Sequence, residues 1–302
     1  MYVPIGGIPQ WIETADGDRG KPVLLFLHGG PGGSSRFASA VWKPWDEHFQ
    51  VVHWDQRGAG LTFAKNGEAG CGPLSVARMT EDALEVATYL RDRFQRDRIV
   101  LVGHSWGSIL GAHMILRRPE WFAAFVATGQ LVNLGENERF NYARQCAQAE
   151  RAGNTEALKA LEEIGPPPYR DIAVLRVIRE WADRLSTATG DTPQPKVEAL
   201  PPGFGPDDFA MLMRGFAYTG PQLFAELGTI DLPALGTDFA VPYFCFMGTA
   251  DQQTPCELAE AYFATVSAPR KAFVRFEGCH HFVVFNRPHA FLEQLLAHRV
   301  GA

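Results

Sequence analysis

The sequence lacks the cysteine patterns that signal a metal site or a disulfide framework. Its five cysteines are scattered and odd in number, and no two form a C-x-x-C pair. They are Cys71, Cys146, Cys245, Cys256 and Cys279. This distribution indicates neither zinc nor redox chemistry, and Cys245, inside an apolar run, is typical of a small buried side chain.

Long apolar runs and an N-terminal targeting signal are also missing. No stretch is long enough to span a bilayer, and the segment 1–4 has neither a basic region nor an apolar signal core. The net charge is −6, from 28 Lys and Arg against 34 Asp and Glu, which does not favour a nucleic acid or an anionic membrane as partner. We therefore expect a cytoplasmic protein.

What the sequence does contain is an alternation of apolar runs and helical patterns over its first 130 residues. The run Val23–Leu27 is continuously apolar, as in a strand buried on both faces, and 81–94 has apolar residues at helical spacing. The segment 8–13 is predicted as the edge strand of a first hairpin. Further strands are predicted at 49–54, 99–103 and 122–127. Such alternation predicts an α/β fold with a mostly parallel sheet and helices on both faces.

The alternation of apolar runs and helical patterns stops near residue 130 and resumes near residue 239. Between these points only helical patterns occur, separated by a Gly-Pro-Pro-Pro turn and by a loose Gly- and Pro-rich stretch at 187–206. The helices are predicted at 136–151, 155–164 and 171–185, later strands at 241–247 and 272–276, and later helices at 255–266 and 288–297. The sequence therefore predicts a core in two parts, 1–130 and 239–302, with an inserted helical cap at 131–238.

The residues 103–107 read Gly-His-Ser-Trp-Gly and lie between a predicted strand and a predicted helix. G-x-S-x-G at such a turn is the pattern of a nucleophile elbow. The turn is so sharp that side chains beside the serine would clash, and only glycine lacks a Cβ. Ser105 is therefore predicted as a catalytic nucleophile.

A serine hydroxyl needs a base to take its proton, and the base needs a carboxylate to hold it. Asp251 and His281 each follow a predicted strand of the second core segment. Because the carboxyl ends of parallel strands meet at one edge, both residues are predicted to lie near Ser105. The chain order Ser, Asp, His is one of the known orders of such a triad.

Other assignments of the acid and the base stay open on these grounds. Asp251 could instead be the N-terminal residue of the helix that follows it, with Asp231 and Asp238 as poorer carboxylates. His280 is adjacent to His281 and has the same side chain.

The negative oxygen of a tetrahedral intermediate needs backbone N–H donors. We expect one from Trp106, directly after the nucleophile, and one from Gly30 in the glycine-rich loop 28–33. A glycine-rich loop after a strand could instead bind phosphate. This loop contains neither G-x-x-x-x-G-K-[ST] nor G-x-G-x-x-G, which disfavours that alternative.

Four stretches together resemble the α/β-hydrolase superfamily, and within it the proline iminopeptidase-like branch, peptidase family S33. They read HGGPGG at 28–33, DQRGAG at 55–60, GHSWGS at 103–108, and HF through RPHAF at 281–291. In the family the catalytic histidine stands seven residues before the proline of the last stretch, which selects His281. The resemblance implies an α/β-hydrolase fold, the triad Ser105, Asp251 and His281, and removal of an N-terminal residue, often proline, from small peptides or amides.

Such an exopeptidase must hold a free ammonium, and carboxylates of the cap would do so by charge-assisted hydrogen bonds. The candidates are Glu136, Glu138, Glu226 and Asp231. For any single one of them, a solvated charge on a helix face is the favoured interpretation.

The same signatures also resemble hydrolases of esters, lactones or thioesters, so an acyl hydrolase with the same triad is the alternative. A non-catalytic binding protein on this fold is disfavoured, because it has no use for a complete triad. In both catalytic cases the substrate is a small molecule or a short peptide, and no metal or organic cofactor is needed.

Overall fold

The computed structural model describes residues 1–14, 20–188 and 205–301, which form one eight-stranded sheet in the order β1-β2-β4-β3-β5-β6-β7-β8. The strands are β1 Tyr2–Ile5, β2 Ile8–Thr14, β3 Val23–Leu27, β4 Gln50–Asp55, β5 Ile99–His104, β6 Phe122–Thr128, β7 Tyr243–Gly248 and β8 Lys271–Phe276. Six consecutive strands of this order, from β4 to β8, pair in parallel. The parallel pairs bring their carboxyl ends to one edge of the sheet.

The first hairpin is placed differently from the prediction. Strand β2 pairs antiparallel with β1 on one side and with β4 on the other, so β1 is the edge strand and the prediction for 8–13 was wrong in this respect. The physical reason is burial: Ile12 is 1% exposed and packs in the core, whereas β1 alternates exposed and buried residues, as an edge strand does.

Helices cover the sheet and fill the interval between β6 and β7. They are α1 Gly60–Cys71, α2 Val76–Phe94, α3 Trp106–Arg117, α4 Leu134–Arg151, α5 Thr155–Ile164, α6 Ile172–Ala188, α7 Pro206–Leu227, α8 Leu232–Leu235, α9 Cys256–Thr265, α10 Val283–Asn286 and α11 Pro288–Ala297. All the helices predicted from the sequence are confirmed within a few residues. Most of the loose stretch predicted at 187–206 lies outside the described residues. Helices α1 and α7 and the short helices α8 and α10 were not predicted.

Two apolar cores lie on opposite faces of the sheet, as β3 illustrates. Val23, Leu25 and Leu27 belong to one core, and Leu24 and Phe26 belong to the other. All five side chains are almost fully buried, because alternate residues of a strand point to opposite faces and both faces carry helices. The prediction of a strand buried on both sides is confirmed.

Between β6 and β7 the described residues form helices only, from α4 to α8. A separate small core, built around Leu161, Trp181 and Leu185, joins α4, α5 and α6. These helices stand beside the edge at which the parallel strands end, since Leu134 of α4 and Phe216 of α7 line cavities with Ser105. Among the residues that the structure describes, no helix combines the length and the apolarity needed to cross a membrane.

Candidate active site

Ser105 occupies a strained turn between β5 and α3. Its backbone has φ 55° and ψ −120°, in the left-handed region that a non-glycine residue rarely adopts. A Cβ on Gly103 would overlap the Gly107 carbonyl, and a Cβ on Gly107 would overlap the carbonyl of Leu27. Both glycines of the motif are therefore required by close backbone contact. Gly103 meets the turn itself, as the sequence suggested, whereas Gly107 meets the neighbouring strand β3.

Asp251 and His281 form a buried pair at the carboxyl ends of β7 and β8. The Nδ1 atom of His281 lies 2.8 Å from Oδ2 of Asp251, and the two side chains are 2% and 0% exposed. A carboxylate at Nδ1 sets the tautomer in which that nitrogen carries the proton. The other ring nitrogen, Nε2, is then an acceptor, and His281 lines the same cavity as Ser105.

Both oxygens of the Asp251 carboxylate accept hydrogen bonds from residues 253 and 254. The backbone N–H groups of Gln253 and Thr254 donate to Oδ1 at 2.8 and 2.9 Å, and the Thr254 hydroxyl donates to Oδ2 at 2.8 Å. Burial favours the neutral acid, but the electrostatic interaction and hydrogen bond with His281, together with these amides, outweigh it and lower the pKa of Asp251. Asp251 is therefore ionised at neutral pH. Asp251 also accepts these bonds in the turn before α9, but the residue that precedes this helix is Pro255, so Asp251 is not its N-terminal residue.

Thr254 is a site residue that the sequence analysis missed. Its hydroxyl lies 3.1 Å from Nδ1 of His281 as well as 2.8 Å from Asp251. The signal was present as Asp-x-x-Thr just before a proline and a helix, a spacing at which side-chain and backbone groups cap one another.

Gly30 and Trp106 line one cavity together with Ser105. Trp106 opens α3, and the first N–H groups of a helix have no acceptor within it. Gly30 has φ 125°, a conformation that favours glycine. These two backbone amides are the candidate donors to a negative oxygen.

Gln56 connects the loop of Gly30 with the elbow. Its Oε1 accepts from the Trp106 indole at 2.9 Å, and its Nε2 donates to the His28 carbonyl at 3.1 Å. Its backbone N–H donates to Nε2 of His28 at 3.2 Å. The sequence analysis quoted Gln56 only as part of a family motif and gave it no role, because such a bridge depends on tertiary contacts.

Two other histidines near the site are held neutral by burial. Burial lowers the pKa of His28 to about 4, although its hydrogen bond to Gly29 opposes the shift. Burial, together with the nearby His281, lowers the pKa of His104 to about 3. The ring of His104 contacts the backbone carbonyl of His281 at 3.1 Å. Both rings contact backbone carbonyls, whereas the ring of His281 contacts a carboxylate.

Two cavities meet at Ser105 and share Gly30, Phe216 and Gln253. We name them lobes. The aromatic lobe, of about 520 Å³, also contains His281 and is lined by rings. These rings are Phe37, Phe216, Phe282 and Phe285. The arginine lobe, of about 320 Å³, is lined by Arg176 and Arg179 of α6 and by apolar side chains.

The structure does not bring the four predicted ammonium-binding carboxylates into either lobe. Glu226 accepts a hydrogen bond from the backbone of Val76 at 2.8 Å, and Glu226 and Asp231 line a different cavity, which lacks Ser105. Glu136 is exposed near the start of α4. Glu138 is buried and engaged with Arg179. Among the described residues that line the two lobes there is no carboxylate.

The described part of the chain contains no group of three or more His, Cys, Asp or Glu side chains placed to hold a metal ion. The arrangement that it does contain is a serine at an elbow, an acid–base pair and two backbone amides. These are the parts of a nucleophilic acyl-transfer site.

Comparisons with known proteins find relatives over nearly the whole chain. A probable aminopeptidase of Bacillus subtilis (strain 168), YbaC, is 28% identical over 97% of this chain and 94% of its own. A proline iminopeptidase of Lactobacillus delbrueckii subsp. bulgaricus is 24% identical over 98% of this chain and 95% of its own. The solved proline iminopeptidase of Mycobacterium smegmatis has the same fold, with a TM-score of 0.67, 18% identity and coverage of 99% and 98%.

These matches confirm the predicted resemblance to the proline iminopeptidase-like branch and the predicted fold class. The model of the alpha/beta hydrolase family matches residues 24–294, which is most of the 302-residue sequence. The chain therefore belongs to the alpha/beta hydrolase family.

Proposed function

We propose that the protein is a serine hydrolase in which Ser105 is the nucleophile, His281 the general base and Asp251 the carboxylate that holds His281. The observation that carries this proposal is the buried contact of 2.8 Å between His281 and Asp251 at the sheet edge where the Ser105 elbow opens. A neutral imidazole beside an ionised carboxylate accepts a proton readily, because the carboxylate stabilises the imidazolium that forms.

The reaction proceeds through an acyl-enzyme. Ser105 Oγ attacks the substrate carbonyl while Nε2 of His281 takes its proton, and the backbone N–H groups of Gly30 and Trp106 stabilise the oxyanion. His281 then gives the proton to the leaving group. Water, deprotonated by His281, attacks the acyl carbonyl, and Ser105 leaves with a proton.

For the substrate we propose an N-terminal residue, proline or a small apolar one, released from small peptides or amides. The relatives named aminopeptidase and proline iminopeptidase align over nearly the whole chain, which supports this choice. The aromatic lobe offers apolar surface of suitable size beside Ser105 and His281. We also propose that residues 131–238 act as a cap over the site, since α4, α6 and α7 supply lining residues to one or both lobes.

A second candidate is an ester, lactone or thioester hydrolase with the same triad. One observation favours it: the described lining of the two lobes contains arginines and no carboxylate. An aminopeptidase needs a negative group to hold the substrate ammonium. Glu138 is the predicted candidate nearest to this role, because its partner Arg179 lines the arginine lobe, but that arginine already neutralises it.

A paired assay distinguishes the exopeptidase from the ester, lactone or thioester hydrolase. We would compare prolyl- and alanyl-β-naphthylamide with p-nitrophenyl acetate and butyrate, with the Ser105→Ala variant as the blank. Turnover of the amides that is lost when their amine is acetylated supports the exopeptidase, and turnover of the esters alone supports the acyl hydrolase. Near-normal activity of Ser105→Ala on every substrate would contradict the proposed chemistry.

A further inference from the structure

The charge of the arginine lobe is not explained by the proposed chemistry. The attack, the oxyanion donors and the proton transfer involve groups around Ser105, whereas Arg176 and Arg179 stand on α6, which belongs to the segment between β6 and β7. They are three positions apart and therefore lie on one face of the helix. This face is turned to the cavity that contains Ser105.

Arg179 is already neutralised within the protein. Its two terminal nitrogens contact the two oxygens of Glu138 at 2.6 and 3.1 Å. Burial disfavours the charge of Arg179, but the Glu138 carboxylate outweighs it and raises the pKa of the guanidinium. The pair is fixed and charge-balanced, so it adds no net charge to the lobe.

Arg176 differs from its neighbour in having no such partner. Within the described ranges no carboxylate forms an ion pair with it, and its side chain is exposed. An exposed arginine is often simply solvated. This one, however, lines a cavity whose other walls are mostly apolar. They include Leu131, Leu134, Ile172, Leu175, Phe224 and Leu227.

We infer that Arg176 binds a carboxylate carried by the substrate, so that the enzyme selects small acyl compounds or short peptides that end in a free carboxylate. This inference rests on the proposed function and specifies its substrate class. The planar guanidinium forms two parallel hydrogen bonds with a carboxylate. The lobe has about 320 Å³ and contains one cation that has no ion-pair partner among the described residues, which suits a single monovalent anion on a short chain.

The carboxylate has two possible sources, which the lobes do not distinguish. It can be the C-terminus of a dipeptide whose N-terminal residue is released, or the distal acid of a dicarboxylic monoester. In both cases the positive charge of Arg176 disfavours a substrate ammonium in this lobe, because like charges repel in an apolar cavity.

The test measures binding to the Ser105→Ala variant, so that it does not depend on turnover. Two matched pairs of probes are titrated by ligand-observed NMR: monomethyl adipate against dimethyl adipate, and prolylglycine against prolylglycinamide. Arg176→Gln is introduced in the same background. Arg184→Gln is the control, because Arg184 is an exposed arginine of the same helix that packs against Trp181 and lines neither lobe.

We expect the carboxylate of at least one pair to bind about fivefold or more tightly than its neutral partner, which corresponds to roughly 1 kcal/mol. Arg176→Gln removes this difference and Arg184→Gln preserves it, and the pair that responds identifies the source of the carboxylate. The inference is overturned if neither carboxylate is preferred, or if the preference survives in Arg176→Gln. Failure of the proposed function is seen separately, as Ser105-independent turnover in the paired assay.

Discussion

The indole of Trp106 donates a hydrogen bond to the Gln56 carboxamide at 2.9 Å, and this contact joins the two sides of the candidate oxyanion site. Gln56 holds the opposite side through the His28 carbonyl at 3.1 Å. All three residues are buried, so water has no access to these hydrogen bonds. The amides of Gly30 and Trp106 belong to these two segments, so their separation depends on Gln56.

Replacing Gln56 with Leu should therefore slow the chemical step. Leucine has a similar size but no polar atoms, so the two segments lose their bridge and the amides shift relative to the oxyanion. We expect kcat to fall about tenfold to a hundredfold with little change in KM, because misplacement of catalytic groups acts on the transition state. Steady-state kinetics measures this. The control is Gln222→Leu, at an exposed position of α7; equal losses in both variants would refute the role.

Thr254 is expected to support the acid–base pair through its hydroxyl. Thr254→Val has nearly the same shape but removes the donor to Asp251 Oδ2 at 2.8 Å. Because hydrogen bonds to charged groups are among the stronger ones, we expect roughly a tenfold fall in kcat and a displaced acidic limb in the pH–rate profile. Thr254→Ser keeps the hydroxyl and should recover most of the rate. An unaltered profile in Thr254→Val would show that the contact does not matter for activity.

Much of the core could be predicted from the sequence because its signals are local. Val23–Leu27 is continuously apolar, and the glycine at 103 follows from one sharp turn. The helix α1 was missed because glycines at 67 and 70 interrupt it, and it has a kink at Gly67. The helix α7 was missed because glycines at 215 and 220 and a proline at 221 interrupt its helical pattern, and such residues usually mark turns.

The parts of the site that the sequence did not predict depend on distant contacts. Gln56 and Trp106 are 50 positions apart in the chain, and no spacing rule connects them. The four carboxylates were chosen only as acidic residues of the inserted segment, and helix packing determined which cavity each side chain reaches. Arg176 was not singled out for the same reason, since a lone arginine in a helical pattern resembles a solvated charge.

Gly107→Ala should destabilise the fold severely. The added methyl group would overlap the carbonyl of Leu27 in β3, and a backbone atom of a central strand cannot move aside as a side chain can. We expect a loss of about 3 kcal/mol or more in the free energy of unfolding, or failure to fold. Chemical denaturation measures this, with Gly205→Ala as the control, because no atom of the described residues lies within 4 Å of its added Cβ. Similar stability of the two variants would contradict the packing argument.

The buried ion pair between Arg57 and Asp82 should contribute far more to the free energy of unfolding than the exposed pair between Glu81 and Arg117. Asp82 is 0% exposed and lies 2.7 Å from the Arg57 guanidinium, so Asp82→Asn leaves a buried charge without compensation and costs about 3 kcal/mol or more. Glu81 and Arg117 are 45% and 47% exposed, so Glu81→Gln should cost less than about 0.5 kcal/mol. Urea denaturation of both variants tests this. Equal effects would mean that water compensates the Arg57 charge.

Buried histidines should make the protein less stable in mild acid, and His28 provides a direct test. Burial lowers its pKa from 6.5 to about 4, so as pH falls between these values the unfolded chain takes up a proton that the folded protein does not. The free energy of unfolding therefore decreases with falling pH, whereas above 6.5 His28 adds no pH dependence. Protonation of Nε2 would also displace the N–H donor of Gln56, which contacts it at 3.2 Å.

The predicted contribution of His28 between pH 7.5 and 4.5 is roughly 2 to 3 kcal/mol. We expect His28→Gln to lose less stability than the wild type over this interval by about that amount, whatever its stability at pH 7.5. Urea denaturation at both pH values measures the difference. His289→Gln, at an exposed position, is the control and should follow the wild type. If His28→Gln declines as steeply as the wild type, the proton uptake that destabilises the fold occurs elsewhere, and the contact between His28 and Gln56 tolerates a charged imidazole.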